Sequence, residues 1–328
     1  MSEEDNRPHW DGRPGHYEVW FLTLVDPLTG TGYWIRSSLL APDRGEPSAG
    51  VWFARFDRSD PDRTFGIHHR VSAWSVGSDT FRVRIGGAEM GSGYARGSLD
   101  EGGRKVAWDL SFPTEAPTYR PLPRALYLGG VASTKPLSPN VDTRASGTIS
   151  VDGEPVEIAS APAQQGHVYG TRHAERWVWA HCADFLDETA VVHAMTAQAR
   201  RGPVTTPFTT FIGVQWHGRW IRLGKISGRR DFSLGVWRIR AQNRLYRLAG
   251  RIEVPPQAML RATYHDPDGT PRYCHNSEIS SCRLALFERR ARGYEEVALL
   301  ESNGTTHAEW AGRTPASAVE REFLEATG

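Results

Sequence analysis

The sequence predicts an all-β protein made of two consecutive antiparallel barrels, and three observations carry that expectation. Twelve tryptophans, 33 glycines and 21 prolines, with few long runs of helix formers, describe a chain of short strands and turns. Strand-like stretches recur along its whole length, separated by turn signals such as Asp26-Pro27-Leu28-Thr29-Gly30 and Asp100-Glu101-Gly102-Gly103. Each half holds enough such stretches to close a sheet of about eight strands, and closure is one of the few ways to remove exposed edges. The expected units are residues 1–170 and 171–328.

In the first half the expected strands are 16–25, 32–40, 51–56, 80–85, 94–99 and 105–112, which read as a meander. Residues 113–140 turn Pro-rich and irregular, with Pro121, Pro123, Pro136 and Pro139 as stiff points. A hairpin follows, in which 145–151 and 154–159 flank Asp152-Gly153, a strong two-residue turn signal. The second half opens on a strand at 176–183 and continues with 189–199, 209–216, 219–226, 235–240, 244–253, 259–265, 278–288 and 294–301. One helix is expected, at the end of the chain. Pro315 would take its first position, and Val319, Phe323 and Leu324 are spaced for a docking face.

Composition excludes several classes of function. Lys plus Arg total 39 against 38 for Asp plus Glu, a net charge of +1, so nothing draws the chain to nucleic acid or to an anionic membrane. No apolar run approaches the roughly 20 residues of a spanning helix, and the polar segment 1–6 has no apolar core of a signal peptide. A soluble, cytoplasmic protein is the expectation; the oligomeric state is left open. Three cysteines without a C-x-x-C pair argue against a disulfide framework or a zinc ribbon. A Walker loop, a G-x-S-x-G elbow and an H-E-x-x-H motif are all missing, so neither a cofactor nor a metal is expected.

The chemistry that remains lies on strands. Along 176–183, alternation puts Trp177, Trp179 and His181 on one face and Val178, Ala180 and Cys182 on the other. Two indoles and an imidazole in register suit the wall of a cavity, and they equally suit packed core aromatics. In the first strand His16, Glu18 and Trp20 share a face, with Tyr17, Val19 and Phe21 opposite. If that face is internal, desolvation would raise the pKa of Glu18 and make it a proton donor at neutral pH; if external, Glu18 is a surface acid. Trp216 ends a strand at a turn, and Glu278 follows the polar run His275-Asn276-Ser277. An aromatic pocket with one or two neutral acids suits protonation of a carbon–carbon double bond, because indole faces stabilise a carbocation without attacking it. Water then gives hydration, and an internal hydroxyl or alkene gives cyclisation. The same pocket could bind an apolar ligand and leave it unchanged.

Three short blocks carry a family resemblance: Gly147-Thr148-Ile149-Ser150-Val151-Asp152-Gly153, then Gly166-His167-Val168-Tyr169-Gly170, then Trp177-Val178-Trp179-Ala180-His181. In that order they resemble the central signature of the hydroxyneurosporene synthase, AttH-like and tocopherol cyclase-like proteins. Tyr17-Glu18-Val19-Trp20-Phe21 is similar to the aromatic-Glu-x-Trp-aromatic motif that opens many of them. This chain has Tyr169 where tryptophan is commoner, and it lacks the Asp-His pair that several members carry just before that position. The resemblance implies two lipocalin-like (calycin) barrels and an activity akin to carotenoid hydration, chromanol cyclisation or polyene cyclisation.

The reading is therefore a cofactor-free hydratase or cyclase for an apolar isoprenoid or polyene, with its pocket at or near the interface of the barrels. Glu18 is the expected proton donor, His167 and His181 orient, and His16, Trp20, Tyr169, Trp177, Trp179, Trp216 and Glu278 contact the ligand. The alternative is a non-catalytic carrier or sensor of an apolar lipid or terpenoid.

Overall fold

The structure is a computed structural model that describes residues 2–71, 74–77, 81–228 and 230–325. Its first half carries β1 (His16–Val25), β2 (Gly32–Ala41), β3 (Ser48–Phe56), β4 (Phe65–Val71), β5 (Trp74–Val76), β6 (Arg82–Ile85), β7 (Ala88–Gly91), β8 (Tyr94–Glu101), β9 (Arg104–Ser111), β10 (Thr134–Val151) and β11 (Glu154–Gly170). The second half carries β12 (Arg176–Cys182), β13 (Ala190–Gln198), β14 (Arg200–Arg201), β15 (Val204–Thr205), β16 (Phe208–Trp216), β17 (Arg219–Ser227), β18 (Phe232–Ser233), β19 (Val236–Gln242), β20 (Tyr246–Glu253), β21 (Leu260–His265), β22 (Pro271–Arg290), β23 (Gly293–Gly312) and β24 (Phe323–Glu325). The fold is all-β, as expected.

The second half closes. Its strands run β17-β16-β13-β12-β23-β22-β20-β19, and Gly224 of β17 pairs with Gln242 of β19 to complete an eight-stranded antiparallel barrel. The first sheet runs β24-β4-β3-β2-β1-β11-β10-β9-β8-β7-β6-β5, and among the described residues no ladder joins its ends. It nevertheless curls round a single core. Phe53 of β3 stacks on Trp108 of β9 with ring centroids 5.6 Å apart, although four strands lie between them in the sheet. The chain passes from one sheet to the other between Gly170 and Arg176.

The two units meet through the outer face of β1, β2 and β3. Trp20, Leu22 and Leu24 of β1 lie in the inner core of the first sheet, whereas Phe21 packs on the core that holds Trp177, Tyr264 and Trp310. Trp34 and Trp52 face the same way as Phe21. A strand covered on both faces loses the hydrophobic-in, polar-out alternation of a solvated one, and β1 is buried at every position except His16 and Phe21, which are partly so.

Several local expectations change. The C-terminal helix does not form: residues 313–322 are turn and extended chain, and Phe323–Glu325 pairs parallel with β4. Val319 and Phe323 are buried as a docking face would be, but on extended backbone. The edge of β4 offers unpaired backbone groups that a helix could not satisfy, and Gly66 leaves room for the Phe323 ring, 2.6 Å from where a β-carbon would stand. The Pro-rich stretch joins the sheet earlier than expected, since β10 starts at Thr134. Strands β22 and β23 run for 20 residues each because register shifts near Ser277–Ser281 and at Leu286–Phe287 let one long hairpin bend without ending. The hairpin turn at Asp152-Gly153 forms with φ of 54° and 88°, the left-handed pair such a turn requires. Of the expected strand 80–85, Thr80 lies outside the described residues.

Candidate functional site

Apart from Trp216, the sequence-predicted residues separate into two groups on opposite faces of β1. The first surrounds Glu18, which is fully buried inside the first sheet. Antiparallel register places Trp20 opposite His167 and Glu18 opposite Tyr169, so His167, Tyr169, His16 and Trp20 gather round the carboxylate. His167 Nε2 lies 2.8 Å from Glu18 Oε1 and His16 Nε2 lies 3.2 Å from Oε2. The N-terminal segment then covers the group. The His9 amide donates to both carboxylate oxygens at 2.8 and 3.0 Å, and the Trp10 amide donates to Oε2 at 3.0 Å. Asn6 anchors the same segment, accepting from Trp20 Nε1 at 2.9 Å and donating to Gln165 at 2.9 Å. His9 stacks on Tyr169 with centroids 3.7 Å apart.

This environment reverses the expectation for Glu18. Burial alone would raise its pKa, but donors from His16, His167 and His9 outweigh desolvation and hold the carboxyl well below the usual range. Glu18 is an anion at neutral pH and lacks the proton that the donor role needs. His9 Nδ1, a Glu18 oxygen and His167 Nε2 also lie within 4.8 Å of one another, close enough to share a metal ion. Both Glu18 oxygens already accept N–H groups, so an ion would have to displace them.

The second group lies on the other face of β1, between the units. A cavity of about 120 Å³ is lined by Tyr17, Val19 and Arg36 from the first sheet, Thr134, Pro136 and Val168 from β10 and β11, and Trp177, Trp179, Tyr264, His173 and Glu309 from the second half. The tryptophan face of β12 is thus an outer wall of the closed barrel, and Val178 and Ala180 point into the barrel core. Phe21 meets the Trp179 ring edge-on, and it lies flat across Gly166, where a β-carbon would stand 2.1 Å from its ring. That close approach accounts for glycine before His167.

Glu309 is the acid of this cavity. Register of β23 against β12 sets it opposite Trp179, and Trp177 Nε1 donates to its Oε1 at 2.6 Å. The Cys274 thiol lies 3.3 Å from Oε2. Burial raises the Glu309 pKa, with the indole donor and Arg36 opposing only in part. His173 stands across the cavity, its Nδ1 2.8 Å from Asp266 Oδ1 and its ring stacked on Tyr17 at 4.0 Å. Burial lowers its pKa in spite of Asp266, so the ring is neutral and donates from Nδ1. Asp266 is itself held by Arg272 at 2.9 Å, both of them buried.

His181 and Glu278 continue the same face deeper into the interface. His181 Nε2 donates to the Val141 carbonyl at 2.6 Å, and its ring stacks on His307 at 5.6 Å. His307 Nδ1 and Glu278 Oε2 are 2.5 Å apart, out of line for a hydrogen bond. Burial pushes the Glu278 carboxyl well up and the imidazoles of His181, His193 and His307 down to about 3, each shift favouring the neutral form. Trp179 Nε1 donates to His193 Nε2 at 3.0 Å and ties the array to the cavity wall. Trp216 stands apart. It pairs with Ala190 at the far end of β13 from the cavity residues Met195 and Ala197, and its indole donates to Glu188.

Glu309, Arg36 and His173 escape a reading of the sequence for different reasons. Glu309 and His307 alternate on one strand, but the expected strand stopped at 301. Arg36 stands between Trp34 and Ser38 in an apolar strand, a polar position that alternation flags without saying which way it faces. His173 lies in the link between the two sheets, where no periodicity applies.

One relative matches this chain in sequence, and solved structures share its fold. An uncharacterized protein of Mycobacterium tuberculosis, matched in the CDC 1551 / Oshkosh and H37Rv strains, is 28% identical over 306 residues, 89% of either chain. Three solved structures share the fold over nearly the whole length. An AttH candidate from Nitrosomonas europaea gives a TM-score of 0.56 at 12% identity, covering 94% of this chain and 96% of that one. Kievitone hydratase from Nectria haematococca gives 0.52 at 11% identity, covering 96% and 92%. CghA with Sch210972 gives 0.51 at 7% identity, covering 91% and 88%. A tocopherol cyclase-like family model matches residues 141–312, which include β12, the His181 array and Glu309, and the chain therefore belongs to the tocopherol cyclase-like family.

Proposed function

We propose that the protein is a hydratase or cyclase that protonates an apolar unsaturated molecule, an isoprenoid or polyene, in the cavity between the two sheets. The observation that carries the reading is Glu309, a buried carboxyl whose pKa burial raises, facing a cavity walled by Trp177, Trp179 and Tyr264. Membership of the tocopherol cyclase-like family and a fold shared with a hydratase support it.

With Oε1 held by the Trp177 indole, the Glu309 proton sits on Oε2 and passes to one carbon of a bound double bond. The π electrons form the new C–H bond, and the neighbouring carbon becomes cationic. The indole and phenol faces stabilise that charge. Neutral His173, oriented by Asp266, accepts a proton from the attacking water or from a hydroxyl of the substrate as its oxygen bonds to the cation. The second proton transfer leaves His173 charged and Glu309 ionised, and their exchange of a proton resets the site. Glu18 holds the N-terminal segment over the first sheet in this reading and takes no part in the chemistry.

The test is incubation of the purified protein with prenyl-substituted phenols and polyenes in D₂O. Hydration adds one water to the product mass, cyclisation shifts retention without changing the number of heavy atoms, and either fixes one deuterium on carbon. A panel returned unchanged and unlabelled by the wild-type protein would sink the reading in favour of a carrier.

A further inference from the structure

The cavity holds one side chain whose chemistry the apolar reading leaves unused. Arg36 is 6% exposed, and no described residue accepts a hydrogen bond from it or forms an ion pair with it. Other buried arginines of this chain are paired: Arg272 with Asp266 and Arg55 with Asp57. Arg36 is held by ring faces instead. Its guanidinium carbon lies 4.0 Å from the Tyr264 centroid, 5.3 Å from Trp52 and 5.5 Å from Trp34. Ring faces offset part of the cost of burying the charge, but they accept nothing from the in-plane N–H donors, of which a guanidinium has five. Leaving such donors unmet in a dry site is costly, and proteins ordinarily answer them with a carboxylate or another oxygen.

Position makes the unmet donors available to a ligand. Arg36 lines the 120 Å³ cavity and also a neighbouring lobe of about 60 Å³ bounded by Ser38, Trp52, His68 and Tyr264. Burial disfavours the charged form of the groups facing it in the main cavity: Tyr17, Tyr264 and Glu309 are pushed up and His173 down. A cavity of about 150 Å³ accepts a benzene-sized molecule, so the two lobes together suit a ring with a short arm.

We propose that Arg36 is a substrate-anchoring residue and that the ligand carries an anionic oxygen head, a carboxylate or enolate, on its unsaturated apolar body. The inference rests on the functional reading above and narrows its substrate class. The head accepts from the guanidinium between the lobes, and the apolar body extends toward Trp177 and Glu309.

Calorimetry with three probes of one size, 4-phenylbutyrate, 4-phenylbutanol and 4-phenylbutylamine, tests it on the full chain. The acid is expected to bind about tenfold or more tightly than the alcohol, the gain typical of a charge-assisted hydrogen bond. Arg36→Met is expected to remove that advantage and leave the alcohol within about twofold. If Arg36→Met does not fold, the head-group series on the wild-type protein and on Arg36→Lys, which keeps the charge, decides alone. Equal binding of acid and alcohol by the wild type, tightest binding of the amine, or an acid advantage that survives Arg36→Met would each overturn the anchor. The first of these leaves the cavity reading intact, whereas failure of all three probes to bind overturns both.

Discussion

Glu18 and Glu309 are both buried carboxyls beside tryptophan and histidine, and they stand on opposite sides of β1 with their pKa values shifted in opposite directions. Glu18 meets two backbone amides and the rings of His16 and His167, and is held as an anion. Glu309 meets one indole and a weak thiol, and burial raises its pKa. Both are desolvated, so depth does not distinguish them; the number and charge of the donors around each does. The first arrangement pins a segment, and the second presents an acid to a cavity.

The sharpest way to break this comparison is to exchange the two roles by mutation. Glu309→Gln is expected to lower turnover by about 10²–10⁴-fold, the usual worth of a positioned general acid, while ligand affinity changes only a few-fold. Separate measurement of kcat and of ligand Kd on a turned-over substrate checks it. Glu18→Gln losing turnover while Glu309→Gln retains it would invert the assignment. Glu18→Ala removes the acceptor from several buried donors, and a loss of about 3–5 kcal/mol is expected. Urea titration reads that loss, and limited proteolysis should find residues 4–10 cut first.

A smaller effect separates the array behind the cavity from the Glu18 group by pH. The imidazoles of His181, His193 and His307 are neutral in the fold down to about 3, whereas unfolded histidine protonates near 6.5. The unfolded state therefore binds the extra protons, and stability falls as pH drops from 6.5 toward 3, by about 1 kcal/mol per histidine between pH 7 and 5.5. Glu18 adds its own loss only below the ordinary carboxylate range, because its folded pKa is depressed. Urea midpoints at pH 7 and 5.5 for the wild type and His307→Gln measure the first contribution, and an unchanged slope in the variant would remove His307 from it.

The smallest effect has the opposite sign. Glu278 is raised, so the unfolded carboxyl ionises at lower pH than the folded one, and its burial costs stability as pH rises. Glu278→Gln should stabilise at pH 8 and leave stability unchanged at pH 4, a difference that paired urea titrations resolve.

Much of this was legible before folding. Alternation in β1 assigned Tyr17, Val19 and Phe21 to one face and His16, Glu18 and Trp20 to the other, and both sets meet as groups. Alternation in β12 likewise put Trp177 and Trp179 together, and they line the cavity. Alternation names partners within a strand, not what covers the face. The capping of Glu18 by His9 and Trp10 comes from a segment with no periodicity, and so the sign of its pKa shift was beyond reach. Trp216 fits the aromatic pattern and lies elsewhere, because a strand spaces its ends about 3.4 Å per residue apart. The C-terminal helix failed for a related reason: the spacing of Val319 and Phe323 reports that they dock, and the free edge of β4 fixed how.

The sequence by itself determined an all-β chain, the strand faces and the family likeness, since these rest on local periodicity and turn chemistry. Only the tertiary structure decided that two outer sheet faces would meet, that Glu309, His173 and Arg36 would face one cavity, and in which direction the pKa of each buried acid shifts. Those outcomes depend on the donors and charges that distant segments bring to each carboxyl, and sequence spacing carries no record of them.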